Sequence, residues 1–282
     1  MLIGFHTSIA GGLPLAVKRA VEVGCTTMQI FSHSPRSWKL DDIPREQAEA
    51  FIKARAEAGI SPLFVHTSYL INLASADDAL YMRSIDALRT EMQRADQIGA
   101  EYVVTHLGSA SSSEPDRARE RVADALVRTL DGLNVKTDLL LENTAGERGD
   151  VGHRFDDIAW IIERTGISSL GVTVDTCHSF GAGYDFRTRK GIDATIKAIE
   201  GSFGFERVKL IHLNDSKHPL GSNRDRHENI GEGLLGLPAF RLILNHHKLR
   251  DLPFIMETPK ASPEDDARNM AVVRRLVNKT RE

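Results

Sequence analysis

Three features of this 282-residue chain predict an α/β protein, an eight-stranded (β/α)8 barrel of the TIM-barrel class. Short apolar runs recur along it, longer segments with helical spacing separate them, and polar residues collect where the runs end. Runs this short, rich in Val, Ile, Leu and Phe, suit strands buried on both faces of a parallel sheet. Each parallel pair needs a helical crossover, which the intervening segments supply.

The elements follow in order. LIGFH (2–6) leads into GLPLAVKRAVEVG, where Leu15, Val17, Ala20 and Val21 fall near one face and Gly24 stops the helix. TTMQIF (26–31) is followed by PREQAEAFIKARAEAG, which opens on proline and ends at Gly59. LFVH (63–66) precedes DDALYMRSIDALRTEMQRADQIG, ending at Gly99 in the C-cap position. YVVTH (102–106) precedes SSSEPDRARERVADALVRTL, whose proline and acidic residues favour a helix start. LLLEN (139–143), GVTVDT (171–176), VKLIHLND (208–215) and FIMET (254–258) complete eight strands, alternating with roughly eight helices. A doubly wound open sheet would want a phosphate-binding glycine turn after the first strand, and SIAGGLP is a poor one. With no linker or low-complexity tract, residues 1–282 read as a single domain.

Composition narrows the class further. Hydrophobic residues make up 41% and charged residues 27%, ordinary for a globular protein able to bury a core. The net charge of −3 lacks the basic excess usual in nucleic-acid binders, so such a role must use a local patch. Only Cys25 and Cys177 are present, which fits a reducing cytoplasm rather than a disulfide framework. The N-terminus has no secretory pattern, and no apolar run approaches the ~20 residues of a membrane span, so a cytoplasmic location is expected.

The polar residues at the run ends carry the chemistry. His6, His66, His106, Glu142, Asp175, His212 and Glu257 each lie at or next to the end of a different run. In a parallel barrel those ends converge on the C-terminal face, where active sites of this fold are built. Asp175 and His178 lie three apart after the sixth run; Asp225 and His227 lie two apart, which in extended backbone turns both to one side. Imidazoles with carboxylates are the ligand set of zinc and similar divalent ions. Nine candidates (His66, His106, Glu142, Asp175, His178, His212, Asp225, His227 and Glu257) exceed one zinc's demand for about four ligands. Two or three ions sharing a bridging carboxylate account for them better, and multi-metal sites are typical of phosphate-ester cleavage. The stretch 211–233, IHLNDSKHPLGSNRDRHENIGEG, reads as a metal-binding loop whose glycines Gly221, Gly231 and Gly233 permit tight turns. His6, with no supporting carboxylate nearby in sequence, reads as a hydrogen-bonded structural group, Cys177 as packing, and His33, His153, His218, His246 and His247 as surface or loop residues.

These segments resemble the endonuclease IV family, the metal-dependent apurinic/apyrimidinic endonucleases of DNA base-excision repair. The resemblance runs from GFHTSIAGG through HTSYLINLAS, LLENTAG, GVTVDTCHSFGAGYD and the 211–233 stretch to METP, nearly the whole chain. It implies three zinc ions, with manganese as a substitute: one on His66, His106 and Glu142, a second on Glu142, Asp175, His212 and Glu257, and a third on His178, Asp225 and His227. It implies incision 5′ to abasic sites in duplex DNA, giving a 3′-hydroxyl and a 5′-deoxyribose phosphate, with removal of 3′ blocking groups. Glu142 would be catalytic, bridging two ions and positioning or deprotonating the nucleophile.

The resemblance also implies DNA contacts from the loops after the second and third strands, SHSPRSWK and HTSYLINL. Arg36, Tyr69 and Leu70 match family positions that fill the gap left by a missing base and kink the duplex. Ser34 and Ser37 depart from the family pattern, standing where members carry asparagine or a larger amide. Lys217, Arg224, Arg226 and Lys260 are candidate phosphate contacts. No membrane partner is expected, and the chain is expected to be monomeric. The competing readings are a sugar isomerase or epimerase of the same barrel superfamily, needing one ion on Glu142, Asp175, His212 and Glu257, and an inactive DNA- or metal-binding protein.

Overall fold

The structure, a computed structural model, describes residues 1–110, 114–262 and 264–277. Strands β1 (Ile3–Phe5), β2 (Met28–Phe31), β3 (Leu63–His66), β4 (Tyr102–His106), β5 (Asp138–Glu142), β6 (Gly171–Asp175) and β7 (Val208–His212) are followed by β8 (Asp215–Ser216), β9 (His227–Glu228) and β10 (Phe254–Met256). Eight of them form one parallel sheet in the order β1-β10-β7-β6-β5-β4-β3-β2. Its two ends meet: His6 pairs with Gln29 in a parallel bridge, and Thr7 N–H donates to the Gln29 carbonyl at 2.7 Å. The sheet is thereby the expected barrel.

Helices α1 (Leu13–Glu22), α2 (Arg45–Glu57), α3 (Asp78–Gln97), α4 (Pro115–Leu130), α5 (Phe155–Thr165), α6 (Thr176–Gly181), α7 (Arg189–Ser202), α8 (Gly236–Asn245) and α9 (Asp265–Leu276) alternate with the strands. The expected helix stops at Gly59 and Gly99 lie in left-handed backbone, φ 65° and 69°, which costs glycine little. The serines 111–113 expected ahead of α4 lie outside the described residues. No helix among the described residues is long and apolar enough to cross a membrane.

Strand alternation sorts the core into two parts. Outward-facing residues such as Phe5, Ile30, Leu63, Val103 and Leu141 join the helices in the outer core, where Phe51, Leu88, Leu126 and Phe240 are fully buried. Their neighbours Phe64, Val104, Leu140, Leu210 and Ile255 form a separate small cluster. With a period of two, the residue two positions after each of these is His66, His106, Glu142, His212 or Glu257. The candidate ligands therefore cap the apolar plug of the barrel.

One expected strand divides. The run 208–215 stays in the barrel only to His212, and Asp215 belongs to the short antiparallel β8–β9 hairpin. The cause is the fully buried Asp215 carboxylate. Its Oδ1 accepts N–H bonds from Ser216 and Leu235, and Oδ2 from Gly231, Gly233 and Gly236, at 2.8–3.3 Å. A Cβ on Gly233 would stand 2.5 Å from Asp215 Oδ1, so only glycine lets the loop close on this anchor.

Gly4 controls the β1–β2 seam, since a Cβ there would lie 1.8 Å from the Thr27 carbonyl oxygen. Gly4→Ala is expected to destabilise the protein by about 1–3 kcal/mol through forced backbone displacement. Denaturant unfolding reads this; an unchanged midpoint would mean the seam yields freely.

Candidate metal centre

Strand ends deliver most of the site. His66, His106, Glu142, Asp175 and His212 are the last residues of β3 to β7, and Glu257 follows β10 directly. Register places His106 opposite Glu142 and Asp175 opposite His212. The remaining three come from outside the barrel strands. His178 sits in α6, whose N-cap is Asp175: its Oδ1 accepts from His178 N–H at 2.9 Å. Asp225 and His227 come from the loop anchored by Asp215, with His227 opening β9.

All nine candidates converge. His66, His106 and Glu142 form one group, Glu142, Asp175, His212 and Glu257 a second, and His178, Asp225 and His227 a third, with the donor atoms of each group within 4.8 Å of one another. Glu142 belongs to two groups. Its Oε2 lies 3.2 Å from His66 Nε2 and 3.7 Å from His106 Nε2, while Oε1 lies 2.9 Å from His212 Nδ1 and 3.4 Å from His178 Nδ1. A further combination, Asp175, Cys177 and His227, also comes together. Burial pushes the Cys177 thiol up to about 12, so it stays S–H and packs, as expected from sequence.

The imidazoles are oriented from behind. His66 Nδ1 donates to the Thr67 carbonyl at 2.8 Å, His178 Nδ1 to the Asn143 carbonyl at 2.9 Å, His227 Nδ1 to the Glu257 carbonyl at 3.1 Å, and His212 Nε2 to Gln29 Oε1 at 2.8 Å. Each such bond fixes the ring and turns its other nitrogen to the group, where it carries a proton beside a carboxylate or offers its electron pair to a cation. His227 Nε2 is buried and has no hydrogen-bond partner, which is costly unless a cation occupies its lone pair. The donor set of nitrogen and oxygen atoms fits a zinc-like divalent ion.

Charge makes the same demand. Burial opposes ionisation of Glu142, yet His212, His106 and His178 hold its carboxyl well below the usual range. Burial likewise opposes ionisation of Glu257, and His212 and His6 outweigh it. Burial acts on Asp225 too, with His178 and His227 pulling it down. The carboxylates in turn raise His212 to about 9 against the effect of burial, and lift His66 and His178. Without cations, protons on imidazole balance the buried negative charge.

Two residues close the set from outside it. Gln29 is fully buried in β2; its Nε2 donates to Glu257 Oε1 at 2.6 Å while its Oε1 holds His212. His6 Nδ1 meets the same Glu257 Oε1 at 2.9 Å, so that oxygen is occupied and Oε2 faces His212 Nδ1 at 3.5 Å. His6 is in none of the ligand groups and is the hydrogen-bonded residue expected. Gln29 went unread, although an amide on the inward parity of an apolar strand is a usable signal. Asn214 was likewise missed: it links Asp175 Oδ2 at 2.6 Å to the Glu257 N–H at 2.8 Å.

Tyr69 is 61% exposed at the mouth, with its ring 5.3 Å from Phe31 and 6.0 Å from His66; Arg36 is exposed and Leu70 half-buried. The four other basic candidates already have partners: Arg224 and Arg226 reach Glu147 at 3.1 and 3.2 Å, Lys217 reaches Glu228 at 3.7 Å, and Lys260 reaches Asp266 at 2.7 Å. His33 and His246, expected at the surface or in loops, are loop residues with buried side chains.

Gln29→Leu keeps the volume but removes both hydrogen bonds. It is expected to weaken divalent-ion affinity about 10–100-fold. Competition with a chromophoric chelator measures this, and unchanged affinity would show that His212 and Glu257 hold their orientation unaided.

A family model described as a xylose isomerase-like TIM barrel matches residues 17–276. A protein named probable endonuclease 4 from Methanoculleus marisnigri is 44% identical over 280 residues, covering 98% of this chain and 99% of that one. The crystal structure of endonuclease IV from Thermus thermophilus is 38% identical, superposes with a TM-score of 0.87 and covers 98% of each chain. A 3-keto-D-glucoside 4-epimerase from E. coli covers 98% of this chain with a TM-score of 0.69 at 14% identity, a likeness of fold alone. Full-length identity of this level, with the barrel and its mouth as described, makes the chain a member of the endonuclease IV family.

Proposed function

We propose that this protein is a DNA-repair endonuclease that hydrolyses the phosphodiester 5′ to an abasic site in duplex DNA and also clears blocked 3′ ends. Its products are a 3′-hydroxyl and a 5′-deoxyribose phosphate. The observation that carries the reading is the meeting of nine donors in three groups, two of which share Glu142, in a chain 44% identical to a relative named for this activity.

His66, His106 and Glu142 would hold one zinc ion, Glu142, Asp175, His212 and Glu257 a second, and His178, Asp225 and His227 the third, with manganese able to substitute. When bound, such ions supply Lewis acidity, lowering the pKa of water and offsetting negative charge on a phosphodiester. Three divalent charges exceed the four carboxylates, and the positive surplus favours an anionic substrate.

The chain's own groups do the rest. Glu142, ionised and shared between two groups, positions or deprotonates the attacking water. Gln29, His6 and Asn214 keep the carboxylates Glu257 and Asp175 facing inward. A cavity of about 230 Å³ beside His106, His178 and Asp225 receives the extruded sugar phosphate. Tyr69, Leu70 and Arg36 enter the duplex at the lesion. Wedging apolar groups between base steps costs a few kcal/mol, least where a base is already missing, so the damage itself directs binding. The enzyme acts as a monomeric single domain in the cytoplasm, in keeping with free, buried Cys25 and Cys177.

Incubating zinc-loaded protein with a duplex carrying one abasic site is expected to give a single 5′ incision, and a chelator to abolish it. Absence of incision by folded, metal-replete protein would sink the reading. Elemental analysis separates the isomerase alternative, since about one ion per chain suits the Glu142, Asp175, His212 and Glu257 group alone, and about three suit the nuclease. Glu142→Gln is expected to lower incision by at least about 100-fold while DNA binding persists. Equal loss of both would remove Glu142 from the chemistry.

A further inference from the structure

Helix α3 presents two charged residues on a buried, largely apolar face. Glu91 is fully buried and Arg94 is 8% exposed, beside Leu88, Met92 and Ala95. Removing a carboxylate and a guanidinium from water is costly unless each makes good hydrogen bonds. Neither belongs to a ligand group. The hydrogen bonds they make go to the two loops that carry Arg36, Tyr69 and Leu70.

Arg94 grips both ends of the loop after β2. Its Nη2 donates to the Ser32 carbonyl at 2.6 Å, its Nε to Ser32 Oγ at 3.2 Å, and its Nη1 to the Asp41 carbonyl. Ser32 Oγ passes a hydrogen bond to His33 Nδ1 at 3.4 Å, and His33 Nε2 donates to the Ser37 carbonyl at 3.2 Å. The directions agree with one neutral tautomer of His33, so the chain of bonds is self-consistent. Two further α3 residues hold the same loop: Gln97 donates to the Ile43 carbonyl at 2.7 Å, and the Arg83 guanidinium lies 4.4 Å over the Trp38 ring.

Glu91 holds the other loop. Its Oε1 accepts from Ser68 N–H at 2.9 Å, while Oε2 lies 3.8 Å from His33 Nδ1. Ser68 then ties the two loops together. Its Oγ donates to the Pro35 carbonyl at 2.8 Å and accepts from Leu70 N–H at 3.2 Å. Arg36 therefore follows a backbone carbonyl fixed by Ser68, and Tyr69 lies between Ser68 and the Leu70 amide bonded to it.

We propose that Glu91 and Arg94 are positioning residues for lesion recognition: from the outer layer of the barrel they hold the loops 32–41 and 67–70 in the one relative placement that presents Arg36, Tyr69 and Leu70 to the duplex. This rests on the reading of those three residues as DNA contacts. Buried Glu91 and Arg94 influence each other electrostatically, but the hydrogen bonds they make go to the two loops, which distinguishes this device from ordinary packing. A planar guanidinium is suited to it, because its fork fixes several acceptors at once.

The test uses the full-length, metal-loaded enzyme with Trp160→Phe, which leaves Trp38 as the remaining tryptophan and a reporter of the first loop. Glu91→Ala and Arg94→Met are expected to raise KM for an abasic duplex about tenfold or more, with kcat within about twofold and metal content unchanged. Trp38 should become more open to acrylamide quenching. Glu91→Gln, which keeps an acceptor for Ser68 N–H, should recover most of the lost KM, a rescue that a bulk packing role would not require to track the hydrogen bond. Folded variants with unchanged KM, a fall in kcat without a change in KM, or a Gln variant no better than Ala would each overturn the proposal. Should the α3 variants fail to fold, Ser68→Ala decides: a similar KM rise supports the inference and an unchanged KM ends it. A wild type that does not incise abasic DNA would instead defeat the functional reading, whereas an active wild type with indifferent variants defeats this inference alone.

Discussion

The carboxylate of Glu142, fully withdrawn from solvent at the end of β5, is the charge around which the barrel mouth is organised. A buried carboxylate would ordinarily take up a proton, and four imidazoles within 4 Å of its oxygens prevent that. The rings of His66, His178 and His212 keep their orientation because one nitrogen of each is committed to an oxygen behind it. The site is thus a hydrogen-bonded shell whose donor atoms gather in adjoining groups. His227 Nε2 is buried without a hydrogen bond, 3.4 Å from Asp225 and 3.7 Å from Asp175. Real proteins gather so many buried ionisable groups chiefly at functional sites.

The barrel supplies this geometry cheaply. Parallel strands end in a ring, and alternation places every second side chain inside. Phe64, Val104, Leu140, Leu210 and Ile255 fill most of the interior one pleat below, so the polar ring rests on a largely apolar floor. That floor keeps the dielectric low and strengthens each electrostatic contact above it. The third group needs something the barrel does not supply. His178, Asp225 and His227 come from α6 and the long loop, and that loop keeps its shape through the single buried carboxylate of Asp215. Two carboxylates therefore divide the labour: Glu142 gathers donors, and Asp215 gathers backbone.

Fold likeness to a sugar epimerase shows how little the barrel alone decides. Glu142, Asp175, His212 and Glu257 make a self-sufficient group of four. Under the proposed function, the groups added on either side of it would, when filled, make the mouth a cationic trough suited to a polyanion. Tyr69 and Arg36 beside that trough extend it outward, and the buried contacts of α3 reach them from the far side of the barrel wall.

Read by itself, the chain determined the eight strand runs, their helical crossovers and the nine donors, because hydrophobic period and strand-end chemistry are written locally in residues such as His66, His106 and Glu142. It also marked Cys177 as packing and His6 as a hydrogen-bonded group. What it left undecided was settled by contacts between distant segments. Gln29 reads as one polar residue in an apolar run until the closing seam sets it against His212 and Glu257, 183 and 228 residues away. Asp215 looks like the end of a strand until five backbone amides, four of them from a later loop, converge on it. The ion pairs of Lys217, Arg224, Arg226 and Lys260 with Glu228, Glu147 and Asp266 are likewise contacts that only the folded chain makes. Nothing in the sequence marks Glu91 and Arg94 as buried; the packing of α3 turns them inward. Side-chain type and spacing are properties of the chain, but the partner of a buried polar group is a property of closure, and closure is a tertiary event.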